Sequence, residues 1–578
     1  MSASKRYWFQ RPESLISLPV LGLGLLGAPH ASAEIVVQLD ELRQRIDGFG
    51  ASSAFFSEDI SQEDADFLFD VEQGIGLSLM RVRINHQDND TTDIETAKKA
   101  YAHGARVWAA PWTPPPEYKT NNALPADPGN GHLKTSSYAD FASYLADFAE
   151  WMEAQGVPLT AITPQNEPDW PATWDGCLYS ASEMTNFIGK YLGPEFEARG
   201  LDDVLIVAPD TAHLKNLPGF ADALVADADV MKYLDGISTH PYSEEGFSYD
   251  WSLPRDNHLF FWQTEVSWES FNEGPNVNDT PDPGMKTALW MVKMLHSHLT
   301  QLWMNSWSYW NLTAVEDDYA DDTKRKNPAL IQDGVKFKRA YVMGNYSKFV
   351  RPGFLRVEAT PAPATDLYVS AYKSSERVVV VAINDSNAAV SQTIKLTGEL
   401  GGTVGSAVPW VTSDQLALAE QAPLAIDSAD NSFEASLAPK SVTSFVVDVD
   451  VPGPTGSGGS AGMGGAAGTF GSEAGAAGAT ATGGTGVATA GASGAPPSGA
   501  GGLGTGGGGA IASGGGGGIG VTSRDDPSAT TDAGCGCRVV TTRSSRAPAI
   551  WALALSALAV ALRRRRGRRD GAPELVQI

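Results

Sequence analysis

Residues 34–350 alternate between short apolar runs, which are typical of buried β-strands, and longer segments with helical periodicity. Apolar positions recur at helical spacing at 137–154 and 183–197. About eight strand–helix units in succession predict an α/β fold, and their regular repetition favours a (β/α)8 TIM barrel. An open doubly wound sheet is disfavoured because no glycine-rich phosphate loop follows the first strand. The predicted strands are 49–52, 77–84, 106–110, 159–163, 204–208, 236–239, 259–264 and 305–310.

After residue 353 the pattern changes to the period-two alternation of antiparallel strands. We expect the early strand at 35–39 to join them, because it has no other evident partner. The sequence therefore predicts a barrel over 34–350, of which 34–46 contribute to the β module, and an attached antiparallel β-sandwich over 351–450. The predicted strands of this module are 367–372, 378–383, 390–396 and 442–449.

The segments on either side of this folded part have different compositions. Residues 1–33 have the order of a secretory signal peptide, with a basic start, an apolar stretch at 15–26 and a small-residue cleavage site at Ala31-Ser32-Ala33. Residues 451–534 consist mainly of Gly, Ala, Ser and Thr, and such a segment buries too little surface to fold. We expect an exported protein with a disordered linker.

Residues 535–569 combine Cys535 and Cys537, an apolar run at 547–562 and an arginine cluster at 563–569. The run is slightly short for a bilayer span, but arginine side chains can extend to the membrane interface. This three-part order resembles the C-terminal sorting signal of myxobacterial surface proteins. The apolar run predicts a C-terminal apolar helix. The resemblance implies that the secreted protein is anchored at the cell surface through its tail.

The net charge of −26 disfavours nucleic acid as a partner, because an acidic surface repels polyanions. It suits an extracellular protein that acts on a neutral or weakly charged polymer. Three cysteines are too few for a disulfide scaffold, and we interpret Cys177 as a buried, unreactive residue. No nucleotide-binding motif occurs, so we expect no cofactor. We also expect a monomer.

Two glutamates follow predicted strands at the ends where TIM barrels carry catalytic groups. Glu167, in the segment PQNEP at 164–168, follows the fourth strand, and Glu265 follows the seventh. Each alone is more simply a surface or salt-bridged carboxylate. Because the two strands lie across the barrel from each other, their joint placement favours catalysis. Glycoside cleavage needs such a pair, one carboxyl group protonated and the other ionised.

Further candidates lie at the same strand ends. Arg81 is a candidate to hold Glu265 ionised, and Asn166 is a candidate to donate to a sugar hydroxyl. Aromatic rings at a barrel mouth bind the apolar faces of sugars. His240 has no second His or Cys at ligand spacing, so the sequence predicts no metal site. The candidate substrate-binding residues are Arg81, Trp112, Asn166, His240, Tyr242, Trp268 and Trp310.

These residues resemble glycoside hydrolase family 30, in particular its bacterial endo-β-1,4-xylanase branch, which includes glucuronoxylanases. The resemblance spans 35–449 and implies a (β/α)8 barrel with a side β-sandwich. It also implies retaining hydrolysis of xylan, a plant cell-wall polysaccharide, with Glu167 as acid/base and Glu265 as nucleophile. The matching segments are IDGFG (46–50), MRVRI (80–84), APWTPP (110–115), PQNEP (164–168), HPY (240–242), TE (264–265), YSKFVRPG (346–353) and YVSAY (368–372).

The segment after strand eight departs from the glucuronoxylan-dependent members of this branch. Those members carry an arginine there that holds a glucuronate branch, whereas this chain reads WNLTAVEDD at 310–318. Its acidic residues repel a uronate, and we do not expect Lys324, Arg325 or Lys326 to substitute. We therefore expect a β-1,4-xylanase or xylobiohydrolase-like activity without strict dependence on glucuronate. Two alternatives stay open: a β-1,6-glucanase or galactanase on the same fold, and a surface carbohydrate-binding protein.

Overall fold

The structure is a computed structural model that describes residues 34–55, 59–244, 247–267, 283–314 and 329–451. These residues all fall in one compact unit, 1–472. No helix within the described ranges is long and apolar enough to cross a membrane. Several predicted features lie outside the described residues: the signal peptide at 1–33, Trp268, the segment 315–328 after strand eight with Lys324, Arg325 and Lys326, and the linker and tail from 452 onward with Cys535 and Cys537.

Eight parallel strands close into the predicted barrel. Their residues are almost all buried, since helices cover the outside and side chains fill the interior. The barrel closes between its first and last strands, with Gly48 opposite Ser306. Gly50 allows close packing in the first strand, because a Cβ there would lie 2.5 Å from the Leu79 carbonyl oxygen. Numbered along the whole chain, the barrel strands are β2 (Gly48–Ser52), β3 (Leu79–Ile84), β4 (Arg106–Pro111), β5 (Leu159–Ile162), β6 (Leu205–Thr211), β7 (Leu234–Thr239), β8 (Phe260–Gln263) and β9 (Ser306–Asn311).

The helices also follow the predicted alternation, with one exception. The single helix predicted at 183–197 is divided by a π-helical turn at Ile188–Leu192. Pro194 has no N–H to continue the α-helical bonding, and Gly193 packs so closely on Tyr233 that a Cβ there would lie 2.2 Å from the ring. The helices are α1 (Gln62–Phe69), α2 (Ile94–Ala102), α3 (Tyr138–Ala154), α4 (Ala181–Phe187), α5 (Gly193–Arg199), α6 (Leu217–Ala226), α7 (Leu253–Asp256), α8 (Met285–Thr300) and α9 (Lys338–Ser347).

A ten-stranded sheet forms the side module. The early strand β1 (Ile35–Arg45) lies inside this sheet, antiparallel to β13 (Leu355–Ala359) and parallel to β16 (Val390–Thr397). The module is therefore built from chain segments that come before and after the barrel in the sequence. Its other strands are β14 (Leu367–Lys373), β15 (Arg377–Asn384), β17 (Ser406–Thr412), β18 (Ala419–Glu420), β19 (Leu424–Ala425), β20 (Ser432–Leu437) and β21 (Ser441–Asp448), while β10 (Thr313–Ala314), β11 (Ile331–Gln332) and β12 (Val335–Lys336) form a small separate sheet.

The sheet buries both of its faces where it meets the barrel. On β15, Val378 and Val380 pack into a core inside the side module, whereas Val379 and Val381 pack into the core shared with the barrel. Adjacent residues of a strand point to opposite faces, so a continuous apolar run is needed here. The side module thus packs against the barrel through one face of its sheet.

Candidate active site

Glu167 is held by its backbone at the carboxyl end of the barrel. Its φ of 51° is in the left-handed region, which non-glycine residues rarely adopt. The Glu167 N–H donates to the Asp210 carbonyl at 3.0 Å, and the Asn166 N–H donates to the Pro111 carbonyl at 2.9 Å. Two neighbouring strands, β4 and β6, therefore fix the loop and the direction of the Glu167 side chain, which is 9% exposed.

Glu265 follows β8 and accepts hydrogen bonds at both carboxylate oxygens. Arg81 Nη1 donates to Oε2, and the Tyr242 hydroxyl donates to Oε1 at 2.9 Å. Arg81 comes from β3 and is fully buried, so its charge is little screened by water. These contacts fix the orientation of the carboxylate and place a buried cation beside it.

The two glutamates and His240 form a close group. One carboxylate oxygen of Glu167, one of Glu265 and a ring nitrogen of His240 all lie within 4.8 Å of one another. His240 Nδ1 lies 3.2 Å from Glu167 Oε1 and 3.7 Å from Glu265 Oε1. The barrel thus brings the fourth and seventh strand ends together across its mouth.

Burial and charge separate the proton affinities of these groups. Burial raises the pKa of Glu167; the hydrogen bond and charge of His240 oppose this, and the charge of Glu265 adds to it. Burial alone would lower the pKa of His240, but the charges of Glu265 and Asp210 raise it to about 10. Burial and the neighbouring glutamates raise the pKa of Tyr242 well above 10, so its hydroxyl keeps the proton that it donates to Glu265. The group therefore contains a carboxyl group suited to carry a proton beside one that is paired with a cation.

Asp210 is a buried part of the site that the sequence does not predict. Its Oδ2 accepts a hydrogen bond from Arg81 Nη2 at 3.0 Å. Its Oδ1 accepts a hydrogen bond from the Thr264 hydroxyl and lies 3.6 Å from His240 Nε2. Burial opposes ionisation, but the charges of Arg81 and His240 and the hydrogen bonds to this carboxylate lower its pKa. Its position at the end of a barrel strand is the available signal, but the predicted strand ends at Ala208. In the structure β6 continues to Thr211 with a bulge, and the positive φ of Asp210 (65°) redirects its side chain into the site.

Asn166 is oriented by the same arginine. Arg81 Nη2 donates to Asn166 Oδ1 at 2.6 Å, and a guanidinium has no acceptor, so the amide oxygen must face Arg81. The amide nitrogen of Asn166 then remains as the donor for another group. The contact fits the predicted role of Asn166 as a donor to a sugar hydroxyl.

The candidate aromatic residues contact one another beside Arg81. The Trp112 ring lies 4.4 Å from the Arg81 guanidinium carbon, 5.3 Å from the Phe55 ring and 5.9 Å from the Trp310 ring. Trp112 is only 2% exposed, so most of its surface supports Arg81 and the neighbouring rings. Trp310 is partly buried and has more accessible ring surface.

Glu167, His240 and Glu265 are also a group, within the described ranges, whose donor atoms lie close enough to hold a metal ion. Metal ligands must lose their protons, whereas the raised pKa values of Glu167 and His240 favour the protonated forms. Arg81 moreover supplies the positive charge beside Glu265. The three side chains come from three different strands, which is why sequence spacing does not reveal the group. Their surroundings fit proton transfer better than metal binding.

Comparison with known proteins agrees with this geometry. The sequence pattern of the glycosyl hydrolase family 30 TIM-barrel domain matches residues 69–349. The chain is 31% identical to glucuronoxylanase XynC of Bacillus subtilis over 441 residues, which cover 75% of this chain and 96% of that relative. It is also similar to the solved structure of Xyn30A, a glycoside hydrolase family 30 subfamily 8 xylanase from Clostridium acetobutylicum, with a TM-score of 0.61, 32% identity and coverage of 72% of this chain and 100% of that one.

A solved endo-beta1,6-glucanase shares the fold at 21% identity, with a TM-score of 0.55 and coverage of 71% of this chain and 93% of that one. The likeness to XynC is more specific, because it extends over nearly the whole of that relative at more than 30% identity. The chain is therefore a glycosidase, and it belongs to glycosyl hydrolase family 30.

Proposed function

We propose that this glycosidase hydrolyses β-1,4 xylosidic bonds of xylan by double displacement, with Glu167 as acid/base and Glu265 as nucleophile. The observation that carries the proposal is the proximity of the two carboxyl groups, whose nearest oxygens lie within 4.8 Å. Retaining glycosidases hold their carboxyl groups about 5–5.5 Å apart, whereas inverting enzymes leave about 6.5–9.5 Å for a water molecule. The close spacing supports direct attack by a carboxylate.

In the first step the Glu167 carboxyl group donates its proton to the glycosidic oxygen as the bond to the anomeric carbon breaks. The Glu265 carboxylate forms a bond to the same carbon from the opposite face, and the shortened polysaccharide leaves as an alcohol. The raised pKa of Glu167 favours the protonated acid that this step needs. Arg81 and Tyr242 hold both oxygens of Glu265 and so direct the attack.

In the second step the ionised Glu167 takes a proton from water, whose oxygen attacks the anomeric carbon and releases Glu265. The departing carboxylate regains its full negative charge beside the Arg81 guanidinium, which stabilises it. Glu167 is thereby protonated again for the next cycle, and the product keeps the β configuration.

Xylan is proposed as the substrate from the names of the two relatives at 31% and 32% identity. A dependence on glucuronate branches is not part of the proposal, because 310–318 contains no arginine and ends in acidic residues. Trp170 and Trp174, which follow Glu167, are 39% and 51% exposed and offer ring surface to a polysaccharide. A product profile on glucuronoxylan, linear arabinoxylan and β-1,6-glucan tests this choice. Products with glucuronate at one fixed position, or faster hydrolysis of the β-1,6-glucan, would contradict it.

The mechanism is tested with Glu265→Gln and Glu167→Gln, compared with Glu153→Gln, an exposed glutamate on α3. We expect kcat on xylan to fall at least about 10³-fold for both active-site variants and to stay unchanged for the control. Proton NMR of the earliest products should show the β anomer. Hydrolysis by Glu265→Gln at the parent rate would refute the nucleophile, and an initial α anomer would refute double displacement. If the parent hydrolyses xylan and a Gln variant binds it without turnover, the protein is an enzyme. If the parent itself binds xylan without turnover, the protein is a carbohydrate-binding protein.

We also propose that the protein is exported as a monomer and displayed at the cell surface through its tail. The support is sequence alone: the signal-peptide pattern at 1–33 and the Cys, apolar and arginine order at 535–569. Xylanase activity on washed intact cells should exceed the activity in the medium. Protease treatment should release this activity from the cells. Equal activity in the medium, with loss of only residues 1–33, would refute anchoring.

A further inference from the structure

Three arginines surround one tryptophan at the end of the barrel opposite the two glutamates. Trp303 precedes β9, Arg255 lies on α7, and Arg43 and Arg356 lie on β1 and β13. Their guanidinium carbons lie 4.4 Å (Arg255), 5.5 Å (Arg43) and 5.3 Å (Arg356) from the Trp303 ring. Three separate parts of the chain thus bring positive charge to a single indole.

Among the described residues, two carboxylates, those of Glu41 and Glu358, form ion pairs with these three arginines. Glu358 pairs with Arg43 at 3.0 Å and lies 3.9 Å from Arg356, and the exposed Glu41 lies 3.6 Å from Arg43. Arg255 makes no ion pair or hydrogen bond with any residue that the structure describes, and its Nη1 is buried without a partner. A buried guanidinium N–H without an acceptor is costly, so its position indicates a group beyond those that the described residues supply.

The arrangement is rigid before any ligand arrives. Trp303 has a φ of 59°, a conformation that a bulky residue adopts only when its surroundings impose it. Gln44 next to Arg43 donates to the carbonyls of Leu299 at 2.7 Å and Met304 at 3.1 Å, and accepts from Arg356 Nε at 2.9 Å. These bonds join β1, β13 and the turn before β9, so the guanidinium groups are preorganised.

A cavity of about 250 Å³ opens against this cluster. Arg43, Gln44 and Arg255 supply polar groups to its lining. Its apolar wall includes Leu259, Leu302 and the Trp303 ring. Its volume is near the lower end of the range for small-ligand pockets, about 300 Å³. A planar oxyanion with a small apolar body fits this combination, because guanidinium groups bind carboxylate and phosphate oxygens in pairs.

We propose that the cavity beside Trp303 is a binding site for an oxyanion, with Arg255 as its main ligand and Arg43 in support. The shared chemistry is a carboxylate or phosphate group; its sources are a uronosyl unit of a polysaccharide or a free inorganic anion. The uronosyl source rests on the proposed function, whereas oxyanion binding does not. Because Leu259 precedes β8 and Glu265 follows it, the site is separated from the catalytic group by the length of a barrel strand.

The test measures binding of glucuronate, glucose and inorganic phosphate to the full-length protein by calorimetry at low salt. Glucuronate and glucose differ in the carboxylate, so glucuronate should bind and glucose should not. Arg255→Gln should weaken oxyanion binding at least about tenfold, and salt should weaken it in the parent. Arg377→Gln removes one charge from an exposed ion pair on β15 and should leave the affinity unchanged. Tighter binding of glucuronate assigns the uronosyl source, and tighter binding of phosphate assigns the inorganic source.

Equal affinities of the parent and Arg255→Gln for both anions, binding of glucose as tight as glucuronate, or no binding of either anion would overturn the proposal. Arg43→Gln is measured in parallel, so that poor folding of one variant does not decide the result. Xylan hydrolysis should be unchanged in both variants because neither residue contacts Glu167 or Glu265. Absence of xylan hydrolysis in the parent would overturn the proposed function and leave the anion measurement intact.

Discussion

Replacing Asp210 with asparagine removes one negative charge from the centre of the proposed active site and nearly preserves shape. Arg81 Nη2 lies 3.0 Å from Oδ2 of this carboxylate. On the other side, the Thr264 hydroxyl donates to Oδ1, and His240 Nε2 lies 3.6 Å from Oδ1. Asparagine has one acceptor oxygen, so its NH₂ group must face at least one of these donors. A contact that stabilises Arg81 or His240 is thereby replaced by a repulsive one.

The size of the effect follows from the contact with Arg81. A hydrogen bond to a charged group contributes about 1.5–3 kcal/mol, and about 1.4 kcal/mol corresponds to a tenfold rate change. If the loss is felt mainly in the transition state, through misplacement of Arg81 against Glu265, kcat/KM should fall about 10- to 100-fold. Folding should also weaken, because two buried cationic groups lose an anion.

The pH profile separates this role from simple structural damage. Asp210 is one of the charges that raise the pKa of His240, and the charge of His240 lowers that of Glu167. Without Asp210, His240 loses its proton at lower pH, and its effect on Glu167 is lost. The pKa of Glu167 then rises further, and the alkaline limb of kcat/KM, which reports the essential acid, shifts to higher pH.

The assay is kcat/KM on a soluble xylooligosaccharide across pH, for the parent, Asp210→Asn and Asp235→Asn. Asp235 is a carboxylate at the start of β7 that accepts from the Ile206 N–H at 2.9 Å, so it controls for loss of a partly buried carboxylate near the same strands. We expect the control to keep the parent alkaline limb. An Asp210→Asn profile lowered in height with an unmoved alkaline limb would refute the coupling through His240. Parent activity in that variant would refute any role in the site.

Three further predictions concern the scaffold. Burial raises the pKa of Asp93 from 3.8 to about 6, so the native state is stable with the neutral acid at low pH and loses stability as the pH rises through 6. Asp93→Asn should therefore raise the unfolding free energy at pH 7.5 by up to about 3 kcal/mol, measured as a higher Tm, and should leave the Tm at pH 4 unchanged. An equal effect at both pH values would contradict this. Ser180 and Glu183 form a capping box at the start of α4, so Ser180→Ala should lower the unfolding free energy by about 1 kcal/mol in denaturant titrations, and an unchanged midpoint would count against the cap. Burial raises the pKa of Cys177 to about 12, so its peptide should stay unalkylated by iodoacetamide until the protein unfolds, and native-state alkylation would show that the thiol is accessible.

The barrel is predictable from sequence because its strands are buried on both sides. Such strands read as short continuous apolar runs, and the segments between them at 137–154 and 183–197 show helical periodicity. Glu167 and Glu265 can be placed at strand ends for the same reason: both follow apolar runs whose ends are easy to locate. The division between α4 and α5 is harder to predict from the sequence, because Gly193 contacts Tyr233, which lies forty positions away in the chain.

Asp210 and Trp303 show where local patterns stop being informative. The end of β6 is obscured by a bulge, so the polar residue that completes the site looks like part of a loop. The arginines around Trp303 come from β1, α7 and β13, and no spacing along the chain relates them. In both cases the decisive fact is a long-range contact, and only the folded chain supplies it.

Charge balance connects the residues of the proposed active site. Arg81 and His240 supply two positive charges, since the pKa of His240 is raised to about 10, and Glu265 and Asp210 supply two negative ones. The site is therefore neutral when Glu167 keeps its proton, and a charge on Glu167 leaves one anion in excess in a buried space. This charge balance fits the different roles proposed for Glu167, as an acid, and Glu265, as a carboxylate. It also explains why Asp210, which need not touch the substrate, should control the pH range in which Glu167 remains an acid.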